Sequence, residues 1–295
     1  MNIPNKNSFL ISELSKKEQD YNFAKFHIIP IPLEKTVSFG KGTSKGPDAI
    51  LKASIELERI TGDSEPCLNG IYTHASLDCK DNMNKIIKDI QNTACKISKN
   101  KKIPIAIGGE HTLTYGMVKG IKRGLDVCNS DIGIIQLDAH ADLRKKYENK
   151  ILSHATVMYK LAKEHFKIFQ FGVRAISKEE VITREKLGIN FFEYKLFDNN
   201  DSLSSLSLPK SFPKNIYISF DTDVLDPSIM PATGTPVPKG LNYEYAIKAI
   251  SSLIRNRNVV GIDYVEFSPI RNIQAYNFIS ASIIYDIMGL IEFNN

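Results

Sequence analysis

Apolar residues alternate along this 295-residue chain between two spacings. Short continuous runs at residues 26–31, 103–107, 132–137, 168–173, 189–192, 216–220 and 259–264 read as strands buried on both faces. Between them lie segments with helical spacing. Ile86, Ile87, Ile90, Ala94 and Ile97 place one apolar stripe on a helix over residues 83–98. Further helices are predicted over residues 48–60, 112–123, 153–164, 242–254 and 275–293, and Ser177-Lys178-Glu179-Glu180 has the capping-box spacing that opens another. Strands without polar alternation, separated by helices, require a sheet covered on both sides. With right-handed crossovers, the expected architecture is α/β: a three-layer αβα sandwich with a mainly parallel central sheet. Residues 38–47 form a Gly/Ser/Pro loop, and residues 199–213, rich in Ser, Leu and Pro, are expected to make an irregular surface excursion. No linker or internal repeat divides the chain, so one domain over residues 1–295 is expected.

Composition narrows the function classes. A hydrophobic content of 42% is ample for a large core, and the net charge is +5. The lysines are scattered, the densest basic stretches (residues 99–102 and 144–146) are short, and there is no Trp. Nucleic-acid binders concentrate charge on one face, so no such partner is expected. The polar N-terminus has no signal-like apolar stretch, and no apolar run reaches the roughly 18 residues needed to span a bilayer. Cys67, Cys79, Cys95 and Cys128 lack C-x-x-C spacing, so a cytoplasmic location is the expectation.

The chemistry lies in three short segments at strand ends: Gly108-Gly109-Glu110-His111, Asp138-Ala139-His140-Ala141-Asp142 and Asp221-Thr222-Asp223. In an open α/β sheet, ligands bind where the carboxyl ends of strands converge. His111, Asp138, His140, Asp142, Asp221 and Asp223 would thus meet in one cleft. One such Asp alone is more often a turn residue than a ligand. Asp-x-His-x-Asp after an apolar strand is a stronger signal, because alternation turns all three side chains to one side. Four carboxylates balance two dications, whereas a lone Mg²⁺ or Ca²⁺ seldom takes imidazole and structural zinc favours cysteine. Carboxylates with some imidazole suit two Mn²⁺ per chain as the first choice, with Zn²⁺, Co²⁺ and Fe²⁺ as alternatives, because geometry and availability set selectivity.

These motifs, in this order, resemble those of the ureohydrolases, the arginases and agmatinases that hydrolyse a guanidinium to urea and an amine. The resemblance covers nearly the whole chain, adding Val37-Ser38-Phe39-Gly40, Asp223-Val224-Leu225-Asp226-Pro227, Thr233-Gly234-Thr235-Pro236 and Asp263-Tyr264-Val265-Glu266. It implies an arginase-like fold. It also implies one manganese on His111, Asp138, Asp142 and Asp221, and another on Asp138, His140, Asp221 and Asp223. Glu266 would meet the substrate guanidinium, His154 would shuttle protons beside the scissile bond, and Asp142 would relay a proton from the attacking water. Homotrimers or homohexamers are a further implication.

The same resemblance guides the choice of substrate. Arginases read the amino-acid end of arginine with Asn and Ser/Thr groups ahead of the residue matching His154. Here residues 143–152 hold one Asn and no Ser or Thr. Agmatine is therefore expected, giving urea and putrescine. A guanidino acid such as guanidinobutyrate, guanidine itself, arginine and formiminoglutamate are the alternatives. A carboxylate tail would call on Arg144, Lys145 or Lys150. Thr112 and Ala155 stand where the family commonly has Ser and Gly, a change that touches substrate fit and removes no ligand. An inactive, ureohydrolase-like binding protein is the reading from another class, and the presence of all six ligands argues against it. His27, His74 and His165 are expected to be structural or solvated.

Overall fold

The computed structural model describes residues 7–192, 203 and 206–294. Of the expected excursion, residues 199–202 and 204–205 lie outside these, and residues 206–213 run as coil and turn. The strands are β1 (Phe26–Ile31), β2 (Ile71–Thr73), β3 (Ile103–Gly108), β4 (Ile132–Leu137), β5 (Lys167–Phe171), β6 (Asn190–Phe192), β7 (Asn215–Asp221) and β8 (Asn258–Val265). They form one eight-stranded sheet, ordered β2-β1-β3-β8-β7-β4-β5-β6, and every pair is parallel.

Among the described residues, seven α-helices cover it: α1 (Gly46–Ala53), α2 (Met83–Lys99), α3 (Leu113–Leu125), α4 (Val157–Lys163), α5 (Lys178–Lys186), α6 (Tyr243–Ile254) and α7 (Ala275–Phe293). Ile50, Ile250 and Ile284, from α1, α6 and α7, join the core on one face. Ile90, Met117 and Leu161, from α2, α3 and α4, join the core on the other. Two cores with a sheet between them make the three-layer sandwich that continuous apolar strands require. Helices α2 and α3 pack backbone to backbone: a Cβ at Gly120 of α3 would stand 2.5 Å from the Gln91 carbonyl oxygen of α2.

Two helices differ from the sequence expectation. The helix expected over residues 48–60 is α1, which gives way at Ser54 to a single 3₁₀ turn. The Ser54 hydroxyl donates to the Leu51 carbonyl (2.7 Å) and accepts the Leu10 N–H (3.0 Å), so side-chain bonds compete with the helical ladder there. The helix expected from residue 153 opens as a 3₁₀ turn, His154–Thr156, before α4. Strand β2, of three residues, is an addition to the strands expected from the sequence.

One feature of the order decides where chemistry can occur. Strands β3 and β4 are consecutive in sequence but three places apart, with β8 and β7 between them. Ile107 of β3 pairs with Tyr264 of β8, Phe220 of β7 pairs with the same Tyr264, and Leu137 of β4 pairs with Phe220. The carboxyl ends of four adjacent strands are therefore level.

Candidate metal centre

Each ligand candidate leaves the end of one of these strands. Asp221 closes β7, Asp138 follows β4 directly, and His111 lies three residues beyond β3. Gly109 lets β3 turn toward its neighbour, since a Cβ there would lie 1.9 Å from the Leu33 carbonyl oxygen. His111 Nδ1 is 3.0 Å from Asp142 Oδ2, 3.3 Å from Asp138 Oδ2 and 3.3 Å from Asp221 Oδ2. His140 Nδ1 is 2.9 Å from Asp223 Oδ2 and 3.7 Å from Asp138 Oδ1. Two groups with ligand atoms within 4.8 Å of one another result: His111 with Asp138 and Asp221, and Asp138 with His140 and Asp223. Asp138 belongs to both. Among the described residues, all six expected ligands thus lie together.

Backbone amides hold the carboxylates in place. Asp138 Oδ1 accepts the His140 N–H (2.6 Å), Asp221 Oδ1 accepts the Asp223 N–H (2.9 Å) and Asp223 Oδ1 accepts the Ala139 N–H (3.0 Å). Asp142 and Glu266 adopt left-handed backbone conformations, with φ of 53° and 61°. Residues with a Cβ hold such angles only where the surroundings over-determine them, and such strain clusters at functional sites.

The electrostatics are those of a cluster short of cations. Burial pushes the Asp138 carboxyl up to about 7, with Asp142 and Asp223 adding repulsion. Burial and then Asp223 and Asp138 drive Asp221 well above the carboxylate range. Burial also opposes ionisation of Asp223, but the His140 hydrogen bond reverses this and holds it low. Burial would lower both imidazoles, yet the Asp138, Asp142 and Asp221 carboxylates gathered around Nδ1 raise His111 well above its usual value. Asp223 raises His140 to about 10 in the same way. The donor set fits divalent metals on one further observation. His111 Nδ1 is buried without a hydrogen-bond partner although three carboxylate oxygens converge on it, the arrangement of ligands around a shared ion.

A supporting layer escaped the sequence reading. His111 Nε2 is 2.8 Å from Ser219 Oγ, and Ser219 donates to Asp263 Oδ1 at 2.8 Å. Asp263, fully buried, also accepts Thr114 Oγ1 (2.7 Å) and the Tyr217 hydroxyl (2.6 Å). Gln136 donates to Asp138 Oδ2 (2.7 Å) and is held by Gln170 (2.7 Å). Gln136 and Ser219 are lone polar residues in apolar strands, two positions before Asp138 and Asp221, and alternation puts i and i+2 on one side. That spacing was the available signal.

The remaining candidates border the same cavity of about 350 Å³, lined by His111, Asp142, His154, Arg144, Glu180 and Glu266 among others. Glu266 Oε1 accepts the His111 N–H (2.7 Å), and burial pushes its carboxyl up to about 8 against that bond. His154, half-buried, is lowered by burial and packs against the edge of the Tyr147 ring with centroids 5.3 Å apart. Arg144 lies over the same ring and 4.0 Å from Glu180, while Lys150 donates away from the cavity to the Lys35 carbonyl (3.4 Å). No helix among the described residues is long and apolar enough to cross a membrane.

Comparison with known proteins agrees with this geometry. An N(1)-aminopropylagmatine ureohydrolase of Thermus thermophilus is 30% identical over 281 residues, covering 93% of each chain. An agmatinase of Halalkalibacterium halodurans is 30% identical, covering 85% of this chain and 86% of its own. The crystal structure of the agmatine ureohydrolase of Thermoplasma volcanium superposes with a TM-score of 0.81 at 26% identity, covering 95% of this chain and 94% of its own. The arginase family model matches residues 24–289, nearly everything from the first strand to the last helix, and the chain therefore belongs to the arginase family of ureohydrolases.

Proposed function

We propose that the chain hydrolyses the guanidinium of agmatine, releasing urea and putrescine, with two Mn²⁺ per chain. The observation that carries this reading is the convergence of six ligand side chains on one cavity that also holds Glu266 and His154. His111, Asp138, Asp142 and Asp221 would hold one ion, and Asp138, His140, Asp221 and Asp223 the other. When bound, two dications lower the pKa of water enough to give a nucleophile at neutral pH. Glu266 orients the guanidinium by charge-assisted hydrogen bonding. Asp142 accepts the proton released by the attacking water. His154 passes a proton to the departing amine, which leaves poorly unless protonated. The trimer or hexamer implied by the family resemblance, and the cytoplasmic location expected from the cysteine pattern, belong to the same reading.

The tail preference follows from charge. Glu180, a buried carboxylate, lines the cavity, and Arg144 is its neighbour. An ammonium tail is compatible with that wall, whereas a substrate carboxylate there would have to compete with Glu180 for Arg144, at a cost. A second reading, N(1)-aminopropylagmatine, is favoured by the Thermus thermophilus relative that matches 93% of this chain. It shares the guanidinium and extends the amine.

Urea release by the Mn²⁺-loaded protein from agmatine, N(1)-aminopropylagmatine, arginine, guanidinobutyrate, guanidinopropionate and guanidine separates these. Agmatine is expected to exceed arginine in kcat/KM by at least about 100-fold, or roughly 2.7 kcal/mol at the transition state. A larger value for the aminopropyl compound selects the second reading. Preference for guanidinobutyrate rejects both, and no urea from any of them returns the chain to the binding-protein class.

A further inference from the structure

One buried carboxylate beside the site has no part in the chemistry above. Glu110, fully buried and next to His111, turns its oxygens to a different set of partners. Its Oε2 accepts the N–H groups of Lys35 (2.5 Å) and Thr36 (2.6 Å). Its Oε1 accepts the hydroxyls of Thr36 (2.7 Å) and Thr112 (2.6 Å). Thr36 Oγ1 in turn accepts the backbone N–H of His154 (3.2 Å) and lies 3.1 Å from His154 Nδ1.

The direction of that last bond follows from proton counting. A hydroxyl has one proton to give. The carboxylate is a stronger acceptor than a neutral imidazole and lies closer, so the Thr36 proton goes to Glu110. Thr112 spends its own proton on the same oxygen. The Thr36–His154 contact is then a hydrogen bond only if Nδ1 carries the hydrogen, which leaves Nε2 with the free lone pair. With hydrogen on Nε2 instead, two acceptors would face each other at a buried hydroxyl.

We propose that Glu110 and Thr36 form a relay that fixes His154 in the Nδ1–H tautomer, making Nε2 its proton-exchanging atom and Thr36 a positioning residue. In the neutral ring, the hydrogen bond made by one nitrogen decides what the other can do. Glu110 stands in the first strand-end motif, two residues beyond β3, but its partner Thr36 comes from the loop after β1, outside all three motifs. The relay rests on the proposed hydrolysis only for its kinetic consequence, because the tautomer belongs to the protein itself.

Both parts are measurable. In ¹⁵N-histidine-labelled protein loaded with diamagnetic Zn²⁺, at a pH above neutrality, long-range ¹H–¹⁵N correlation reports which His154 nitrogen is protonated. The signal is assigned by its loss in His154→Ala. The wild type is expected to carry Nδ1–H, Thr36→Ser to keep it, and Thr36→Val to shift toward Nε2–H. On a guanidino substrate, Thr36→Val is expected to lower kcat by about 10- to 100-fold with KM and metal content within about twofold, and Thr36→Ser to restore most of the rate. An Nε2–H wild type overturns the relay, as does a Thr36→Val protein with unchanged tautomer. A wild type that carries Nδ1–H but releases no urea supports the relay and rejects the proposed function.

Discussion

Ser219 accepts a hydrogen bond from His111 Nε2 at 2.8 Å, a direction set by Asp263 behind it, which takes the serine proton at 2.8 Å. In the neutral, metal-ligating ring this leaves the Nδ1 lone pair on the side of Asp138, Asp142 and Asp221. Partners of this kind orient ligands, and their loss typically costs 10- to 100-fold in metal affinity. Ser219→Ala is expected to weaken one of two Mn²⁺ by about that factor in a chelator competition and to leave the other nearly unchanged. Equal affinity for both ions in the variant would show that the serine orients nothing.

Asp138 belongs to both ligand groups, whereas His111 belongs to one. Metal analysis after Mn²⁺ loading is expected to give about two ions per chain, and Asp138→Asn to reduce occupancy of both. His111→Ala is expected to reduce one preferentially. A single ion at saturation in the wild type counts against the binuclear site.

His154 is not needed to hold an ion in either group. His154→Ala is expected to lower kcat by roughly 10- to 1000-fold with metal content unchanged, and added imidazole to restore part of the rate. An unaltered kcat removes His154 from the chemistry.

Arg174 ties the loop after β7 to the end of β5. It donates to the carbonyls of Asp223 (2.8 Å), Val237 (2.8 Å), Pro238 (3.0 Å) and Gly172 (3.1 Å). Removing the guanidinium leaves several of these carbonyls unpaired, so Arg174→Ala is expected to cost about 2–3 kcal/mol in urea denaturation. Weaker metal binding on the His140 side is expected to accompany it, since the loop carries Asp223. A change within about 0.5 kcal/mol would mean that other contacts hold the loop.

His27 sets a dependence of stability on pH. It is buried, with Nδ1 3.0 Å from His74 Nε2, and Tyr21 and Tyr72 pack around the pair. Burial, then His74 and Lys102, lowers it to about 3 from 6.5. Between those values the unfolded chain binds a proton that the folded chain excludes. Stability from this residue is therefore full above about pH 6.5 and falls as pH drops toward 3, by up to ~1.4 kcal/mol per pH unit. In metal-free protein, His27→Leu is expected to flatten the curve of unfolding free energy against pH over that window. Parallel curves for variant and wild type would refute the assignment.

Strands buried on both faces were legible because nothing interrupts their apolar runs: β1 and β4 match the expected limits, and β3 and β7 depart by a residue or two. The ligand motifs were legible because Asp and His at the end of such a run have no packing reason to be there. Neighbour relations were not, since periodicity says which face a residue takes and nothing about which strand lies beside it. The supporting contacts depend on those neighbours. Ser219 finds His111 from β7, and Thr36 finds Glu110 across 74 residues. The unwinding of the expected helix at Ser54 likewise needed Leu10, 44 residues away, to become visible.

The position of β7 and β8 between β3 and β4 fixes when the metal centre can exist during synthesis. A ribosome that has delivered residue 142 has made four of the six ligand candidates, yet the strands that carry them are still separated by two empty places in the sheet. Those places fill only after residues 215–265 emerge. Until then, the inner edges of β3 and β4 expose unpaired backbone that invites wrong partners. Ions that bind this late can contribute little to the folding transition state. Their stabilisation would go instead into slower unfolding, and metal at the proposed centre would act as a lock and not as a seed.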